Sequence, residues 1–331
     1  MPALSGFLAA PVALSEPEQV KQLVLRSLVQ DQLMAACDWP DEPRDALLLA
    51  IRERYGAGVC AILIYGSYLR GKRDTLLDFY VLLEDHAALQ SSWQAGLAWA
   101  LPPNVYQVRC GQPSGELRAK CAVMTLGRFE YAMRHDFHSY FWARFFQPSG
   151  LLYCRDEQSR ERVERAIGQA ARTFVQQVVP CLPAEFTAVD LVSKGLSLSY
   201  RCELRAEPPG HAEQLQHYNA EWYQALLTVL AGDGLGYRPG PRAGEFVHGA
   251  GAWGRRRAAA AWWLRRVQGK GLSVLRLLKA ALTFSGGFDY LLWKIGRHSG
   301  ECIEATPRQR KHPLLFGWPV LWRLYRRGAF R

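Results

Sequence analysis

Apolar residues recur at helical spacing through Val20, Leu23, Leu25 and Leu28, and again from Ala46 to Ile51, which predicts helix over 17–56. An unbroken apolar run at 59–65 predicts a buried strand, a polar and basic loop follows Gly66-Ser67, and a second apolar run beginning at Asp78 predicts a strand over 78–83. A helix around 86–99 carries Trp93 and Trp99. Pro102-Pro103 breaks the chain before a strand at 105–108, and 118–126 reads as another strand. Helices alternating with short strands up to about residue 155 predict an α/β (α+β) domain with a mixed sheet. From Arg160 to about Leu230 the pattern is helical, with a stop at Pro180–Pro183 and a second helix over 184–199 capped by Thr187. Residues 231–252 hold seven Gly and two Pro with few large apolar side chains, which reads as a loop or linker. Beyond it, Leu272, Leu275, Leu278 and Leu282 lie at helical spacing with Arg276 and Lys279 on another face, a pattern shared by a docked core helix and a membrane-surface helix. The divisions fall at 1–155, 156–250 and 251–331.

Composition narrows the class. With 49% hydrophobic and 12% aromatic residues the chain is too apolar to be disordered, and 331 residues are many for one core. The eight cysteines contain no CxxC pair and read as reduced, mostly buried thiols of a cytosolic-type compartment. His135, His138 and His217 have no metal-ligand spacing and read as structural. The first twenty residues lack Lys and Arg, which argues against a secretory signal or an Arg-rich transit peptide, and no run of eighteen apolar residues predicts a transmembrane helix.

The net charge of +11 is uneven. Residues 255–331 hold 17 Lys and Arg against three acids, whereas the first 254 hold 24 against 27. A basic stripe of this kind suits nucleic-acid phosphates or an anionic membrane. At 314–327, Trp318, Leu321 and Trp322 are interleaved with three arginines, which favours the headgroup boundary of a bilayer over polynucleotide; no nucleic-acid partner is expected.

The chemistry concentrates in ILIYGSYLRGKRDTLLDFYVLLED, residues 62–85. It resembles the opening of nucleotidyltransferases of the DNA polymerase β type. In that reading Gly66 lets backbone N–H groups approach a triphosphate, Ser67 adds a hydroxyl donor beside Tyr68 and Arg70, and Asp78 holds Mg²⁺. The signature's second acid, two residues beyond the first, is Tyr80 here. One carboxylate binds Mg²⁺ weakly, so either another acid completes the site or the nucleotide supplies most of the oxygen ligands. The same residues also read as a hairpin turn with an Asp at a strand end. Lys120, inside an apolar strand, is either a snorkelling edge lysine or a triphosphate ligand. Arg144 lies in FWARFF, where an unpaired buried guanidinium would be costly and a phosphate would satisfy it. Tyr200, Glu203 and Arg205 form either an ion-pair cluster or part of a substrate-phosphate site, and Arg70, Lys72 and Arg73 either touch phosphates or lie in a solvated loop.

Several separated segments together resemble one family, the mitochondrial-type phosphatidate cytidylyltransferases, also known as translocator assembly and maintenance proteins. LLDFYVLLED is similar to that family's single-Asp strand, in which the second acid is also absent. LPPNVYQV and Arg118–Val123 are similar to its proline-asparagine stretch and Lys-containing strand, and FWARFFQP to its Ala-Gly-Arg-Leu-x-Lys-Pro motif. LPAEFTAVDLVSKGLSLSYRCELRAE and LRLLKAALTFSGGFDYLLWKI resemble two later segments, so the likeness spans roughly 45–300. Gln147 replaces the family's Lys, and Cys202-Glu203 its Gly-Asp. The resemblance implies a polymerase-β-type nucleotidyltransferase domain, a mainly helical, winged-helix-like domain, and a basic amphipathic C-terminal segment. It implies that CTP and phosphatidic acid give CDP-diacylglycerol and pyrophosphate with Mg²⁺ as cofactor. Asp78, Ser67 and Lys120 would be catalytic, Gly66, Ser67, Tyr68, Arg70 and Lys120 would hold nucleotide, and Arg144, Tyr200, Glu203 and Arg205 the substrate phosphate. The absent presequence suggests a bacterial-type member, or one not imported, and the basic segment suggests a peripheral protein docked through 255–331 on the cytoplasmic face of the inner membrane. The rival readings are a related transferase acting on RNA or a soluble phosphate, and a non-catalytic membrane-associated scaffold.

Overall fold

The computed structural model describes residues 16–35, 42–70, 76–85, 101–112, 115–203 and 219–283, with the single residues 96 and 306. The helical stretch expected over 17–56 is two helices, α1 (Glu16–Ala35) and α2 (Glu42–Tyr55). Glu42 and Asp45 in the first turn of α2 and Arg52 and Arg54 in its last complement the helix dipole. Next come β1 (Val59–Tyr65), a single helical turn at Ser67–Arg70, and β2 (Leu77–Leu83). Every residue of β1 is buried, which is why its sequence is an unbroken apolar run and not an alternation. A strand pair follows, β3 (Asn104–Gln112) and β4 (Gly115–Thr125), then α3 (Leu126–His135), the single-turn α4 (Trp142–Phe145) and β5 (Gly150–Cys154). These strands make one five-stranded sheet in the order β3-β4-β2-β1-β5. The β2–β4 pair is parallel and the other three pairs are antiparallel, so the sheet is mixed.

Both faces of the sheet are covered. Ile62, Ile64, Phe79, Val81 and Val123 pack with Leu47, Ile51 and Tyr55 of α2. Leu63, Tyr80, Leu82 and Met124 point the other way, into a larger core with α1, α3, α4 and the helices that follow. That core runs continuously from Leu25 to Trp262.

The second half of the chain is mainly helical: α5 (Glu157–Val178), α6 (Ala188–Tyr200) and α7 (Ala220–Leu230), with β6 (Glu185–Thr187), β7 (Tyr237–Pro239) and β8 (Glu245–His248) between or after them. Asp156 caps α5, accepting from the Ser159 N–H at 2.7 Å. Thr187 caps α6 as the sequence predicts, in a reciprocal box with Asp190. At Gly195 of α6 a Cβ would lie 2.2 Å from Phe174 Cζ of α5, so this close crossing requires glycine. The linker expected over 231–252 is a correction: β7 and β8 lie inside it and join β6 in a second sheet, ordered β6-β8-β7. Tyr237 and Phe246 are its buried anchors, and Gly232 and Gly244, with φ of 76° and 82°, take the left-handed conformation its turns require.

The last described element is α8 (Ala252–Thr283). Its inward face is fixed at several points. Trp262 Nε1 donates to Gln177 O at 3.0 Å, and Arg265 donates to Phe137 O and Gln177 Oε1 at 2.7 and 2.6 Å. A Cβ at Gly269 would lie 2.4 Å from Cys202 O. Lys279 Nζ donates to Leu101 O, to Pro103 O at 2.7 Å and to Asn104 Oδ1 at 2.9 Å. The choice left open over 272–282 thus has a divided answer: Arg276 and Lys279 turn inward, while Val274 and Leu275 are exposed. No described helix is long and apolar enough to cross a membrane. The helix expected over 86–99 lies, except for Gly96, outside the described residues, as do Lys72, Arg73, Arg205, His217 and the tail at 314–327 with Trp318, Leu321 and Trp322.

Candidate functional site

β1 ends at Tyr65, and the chain turns through Gly66 with φ of 95°, a conformation that favours glycine. Tyr65 pairs with Asp78 at the start of β2, and Asp78 pairs in parallel with Lys120 of β4. Register alone therefore sets the three side chains side by side on one face. The Asp78 carboxylate lies against the turn: a Cβ on Gly66 would meet its Oδ2 at 3.4 Å. Its Oδ1 lies 3.7 Å from Lys120 Nζ, and both side chains are about one-third exposed. Ser67 and Arg70 belong to the helical turn that follows, and Arg70 Nη1 folds back to donate to Gly66 O at 3.1 Å. The Tyr68 ring is buried in the core on the α2 side and is not brought to this face.

Two residues along β2 from Asp78, on the same face, Tyr80 is fully buried. Its ring centroid lies 5.1 Å from Tyr65 and 4.9 Å from Phe145. Arg144 of α4 donates through Nη1 to Tyr80 Oη at 3.3 Å and to Tyr140 Oη at 3.2 Å, and its Nη2 lies 3.6 Å from Glu203 Oε2. The guanidinium that the sequence left in need of a phosphate therefore has two phenols and a carboxylate as partners. It also lies over the Tyr65 ring, 5.2 Å from the centroid. Tyr200 Oη donates to Gln147 Oε1 at 3.3 Å, beside this cluster in sequence but bonded elsewhere.

Sequence reasoning missed Tyr65, Tyr140 and Arg276. The Arg276 guanidinium of α8 covers one face of the Tyr140 ring at 3.9 Å, and Arg144 approaches the same ring at 4.3 Å. Arg276 donates through Nε to Pro102 O at 3.3 Å. Tyr140 could have been found four residues before Arg144 at helical spacing; no signal in the sequence marks Arg276. Burial alone would raise the Tyr140 phenol, but Arg144, Arg276 and Lys120 together outweigh it and bring it down to about 8. Burial drives the Tyr80 phenol up. Burial, reinforced by Arg276, brings Lys279 down to about 7, although its three oxygen acceptors match the three donors of an ammonium.

The face thus joins three cations, Lys120, Arg144 and Arg276, to two acids, Asp78 and Glu203. Among the described residues no group of three or more His, Cys, Asp or Glu could hold a metal by itself. Mg²⁺ is commonly held by one or two carboxylates plus substrate phosphates, and the part-exposed Asp78 fits that arrangement as its one protein carboxylate. No protein-family model matches the chain, and no curated protein matches it.

Proposed function

We propose that this chain is a nucleotidyltransferase of the polymerase β type, a phosphatidate cytidylyltransferase that works at a membrane surface. The observation that carries the reading is the Asp78 carboxylate packed against the left-handed Gly66 turn with Lys120 3.7 Å away. A turn without a Cβ leaves room for backbone N–H groups to meet a triphosphate, and a carboxylate beside it is where a phosphate-bound cation would sit. When bound there with CTP, Mg²⁺ would neutralise charge on the phosphates.

In this reading a phosphate-monoester oxygen of phosphatidic acid attacks the α-phosphorus of CTP. The new O–P bond forms as the bond to the β-phosphate oxygen breaks, and pyrophosphate leaves. The acceptor is already ionised near neutral pH, so no strong general base is needed, and catalysis rests on positioning and charge neutralisation. Lys120 would meet the triphosphate. Arg144 and Arg276, both held against the Tyr140 ring, would orient the acceptor phosphate, and Glu203 would restrain Arg144. The outward side of α8 supports the membrane location: Trp253 and Trp263 are 77% and 64% exposed, with Leu264, Val267, Val274 and Leu275 exposed beside them. Residues 252–283 contain eight Lys and Arg and no acid.

The test is CTP- and Mg²⁺-dependent pyrophosphate release with phosphatidic acid vesicles. Asp78→Asn should lower turnover at least ~100-fold while leaving the unfolding temperature unchanged. A variant that keeps more than a few per cent of activity at saturating Mg²⁺ removes Asp78 from the role. No release by the unaltered chain turns the reading to the rival transferases or to a scaffold.

A further inference from the structure

α6 and α8 run past each other with a cleft of about 390 Å³ between them. Lys194 and Leu198 of α6 and Arg201 just past its end line it on one side, and Arg255, Trp262 and Arg266 from one face of α8. Trp262 is buried and forms the apolar floor, while the four cations are exposed around it. Among the described residues no acid lines the cleft. Arg255 donates to Ala250 O at 2.8 Å; the side chains of Lys194, Arg201 and Arg266 have no acceptor among the described residues. Four like charges around one recess repel one another, and an anion in the recess would reverse the sign of that interaction.

The surroundings say which anion. Trp263 also lines the cleft, 64% exposed, and with Leu264 and Val267 begins the outward apolar stripe of α8. A helix that lays such a stripe into the outer acyl layer holds the residues on its flank at headgroup depth. The cleft is that flank. We propose that it is a binding site for the phosphate headgroup of an anionic phospholipid, with Lys194, Arg201, Arg255 and Arg266 around the phosphate and the lipid chains following Trp263 into the bilayer. The site rests on the membrane-surface part of the proposed function and is independent of the nucleotidyl chemistry.

The experiment measures binding to the full chain, without CTP, of monomeric dihexanoyl-phosphatidylglycerol by calorimetry and of vesicles with and without phosphatidylglycerol by co-sedimentation. Two triple variants are compared, both at exposed positions: Lys194→Gln/Arg201→Gln/Arg266→Gln in the cleft, and Arg256→Gln/Arg257→Gln/Lys270→Gln elsewhere on α8. The cleft variant should bind the short-chain lipid at least tenfold more weakly, with unchanged circular dichroism and unfolding temperature. The second variant should bind it within twofold of the unaltered chain. Equal losses from the two variants would mean diffuse surface charge and overturn the site. Inorganic phosphate competing as well as the lipid would overturn its lipid character, and so would RNA displacing the lipid stoichiometrically. Cleft-dependent binding of the short-chain lipid with no vesicle binding would keep the phosphate contacts but overturn the membrane location and, with it, the path of the lipid chains along Trp263.

Discussion

Tyr80 faces the same side of the sheet as Asp78, yet it is built as core. Its ring contacts Tyr65, Phe141 and Phe145, and its hydroxyl accepts from Arg144. Tyr80→Phe keeps the ring and removes one of three partners of Arg144, so the loss should be about 1 kcal/mol. Tyr80→Asp would bring a carboxylate close to Arg144 but remove a fully buried ring, and the cavity dominates: about 3–5 kcal/mol should be lost in urea unfolding. A Tyr80→Asp chain that is equally stable and more active would show that the phenol merely replaces a second metal carboxylate. Asp78 and Lys120 were legible because each is a charge in an apolar strand, and Gly66 because it ends one. Tyr65, Tyr80 and Tyr140 were not legible as a cage, since an aromatic residue in an apolar run reads as packing, and here it is packing as well.

Among the elements, β1, β2 and the Thr187 cap were legible from local pattern, which a fully buried strand and a capping box both carry in a few residues. β7 and β8 were hidden: each has one large buried apolar anchor, Tyr237 or Phe246, beside polar residues such as Arg238, Glu245 and His248, and the Gly-rich turns around them dominate the composition. α8 was half legible, because a basic residue on a helix face reads as solvated. Two of its several attachments can be tested singly, the close backbone approach at Gly269 and the Lys279 ammonium. Gly269→Ala would push a methyl against a carbonyl oxygen that cannot turn away, and Lys279→Met would leave the Leu101, Pro103 and Asn104 oxygens without that donor. Each change should cost roughly 2–4 kcal/mol. Limited proteolysis should then cleave α8 first, while the sheet remains protected.

At the scale of the molecule, one core from Leu25 to Trp262 ties the sheet to the helices, so a titrating group buried in it acts on the stability of the whole. His138 is packed at its edge, with its side chain 12% exposed and its ring 5.9 Å from that of Phe141. Burial holds its imidazole down at about 4, against the opposing pull of Asp136 and with Arg276 and Arg128 reinforcing it. The unfolded chain binds this proton near pH 6.5 and the folded chain near 4, so the unfolded state carries more protons between them. Stability should fall as pH drops from about 6.5 to about 4, by roughly 3 kcal/mol from this group. Urea midpoints measured across that window should flatten in His138→Asn. An unchanged slope would show that His138 takes up its proton in the folded state.

The parallel seam between β2 and β4 also sets the order in which the site comes together. β1 with β2, and β3 with β4, are antiparallel neighbours in sequence and can each zip locally. Joining the two pairs requires a parallel register between distant segments, the slower kind of closure. Asp78 stands on one side of that seam and Lys120 on the other. A chain caught before the seam closes holds the carboxylate beside its glycine turn without the cation across from it. The candidate site should therefore be a late product of folding, assembled only when the two halves of the sheet have found each other.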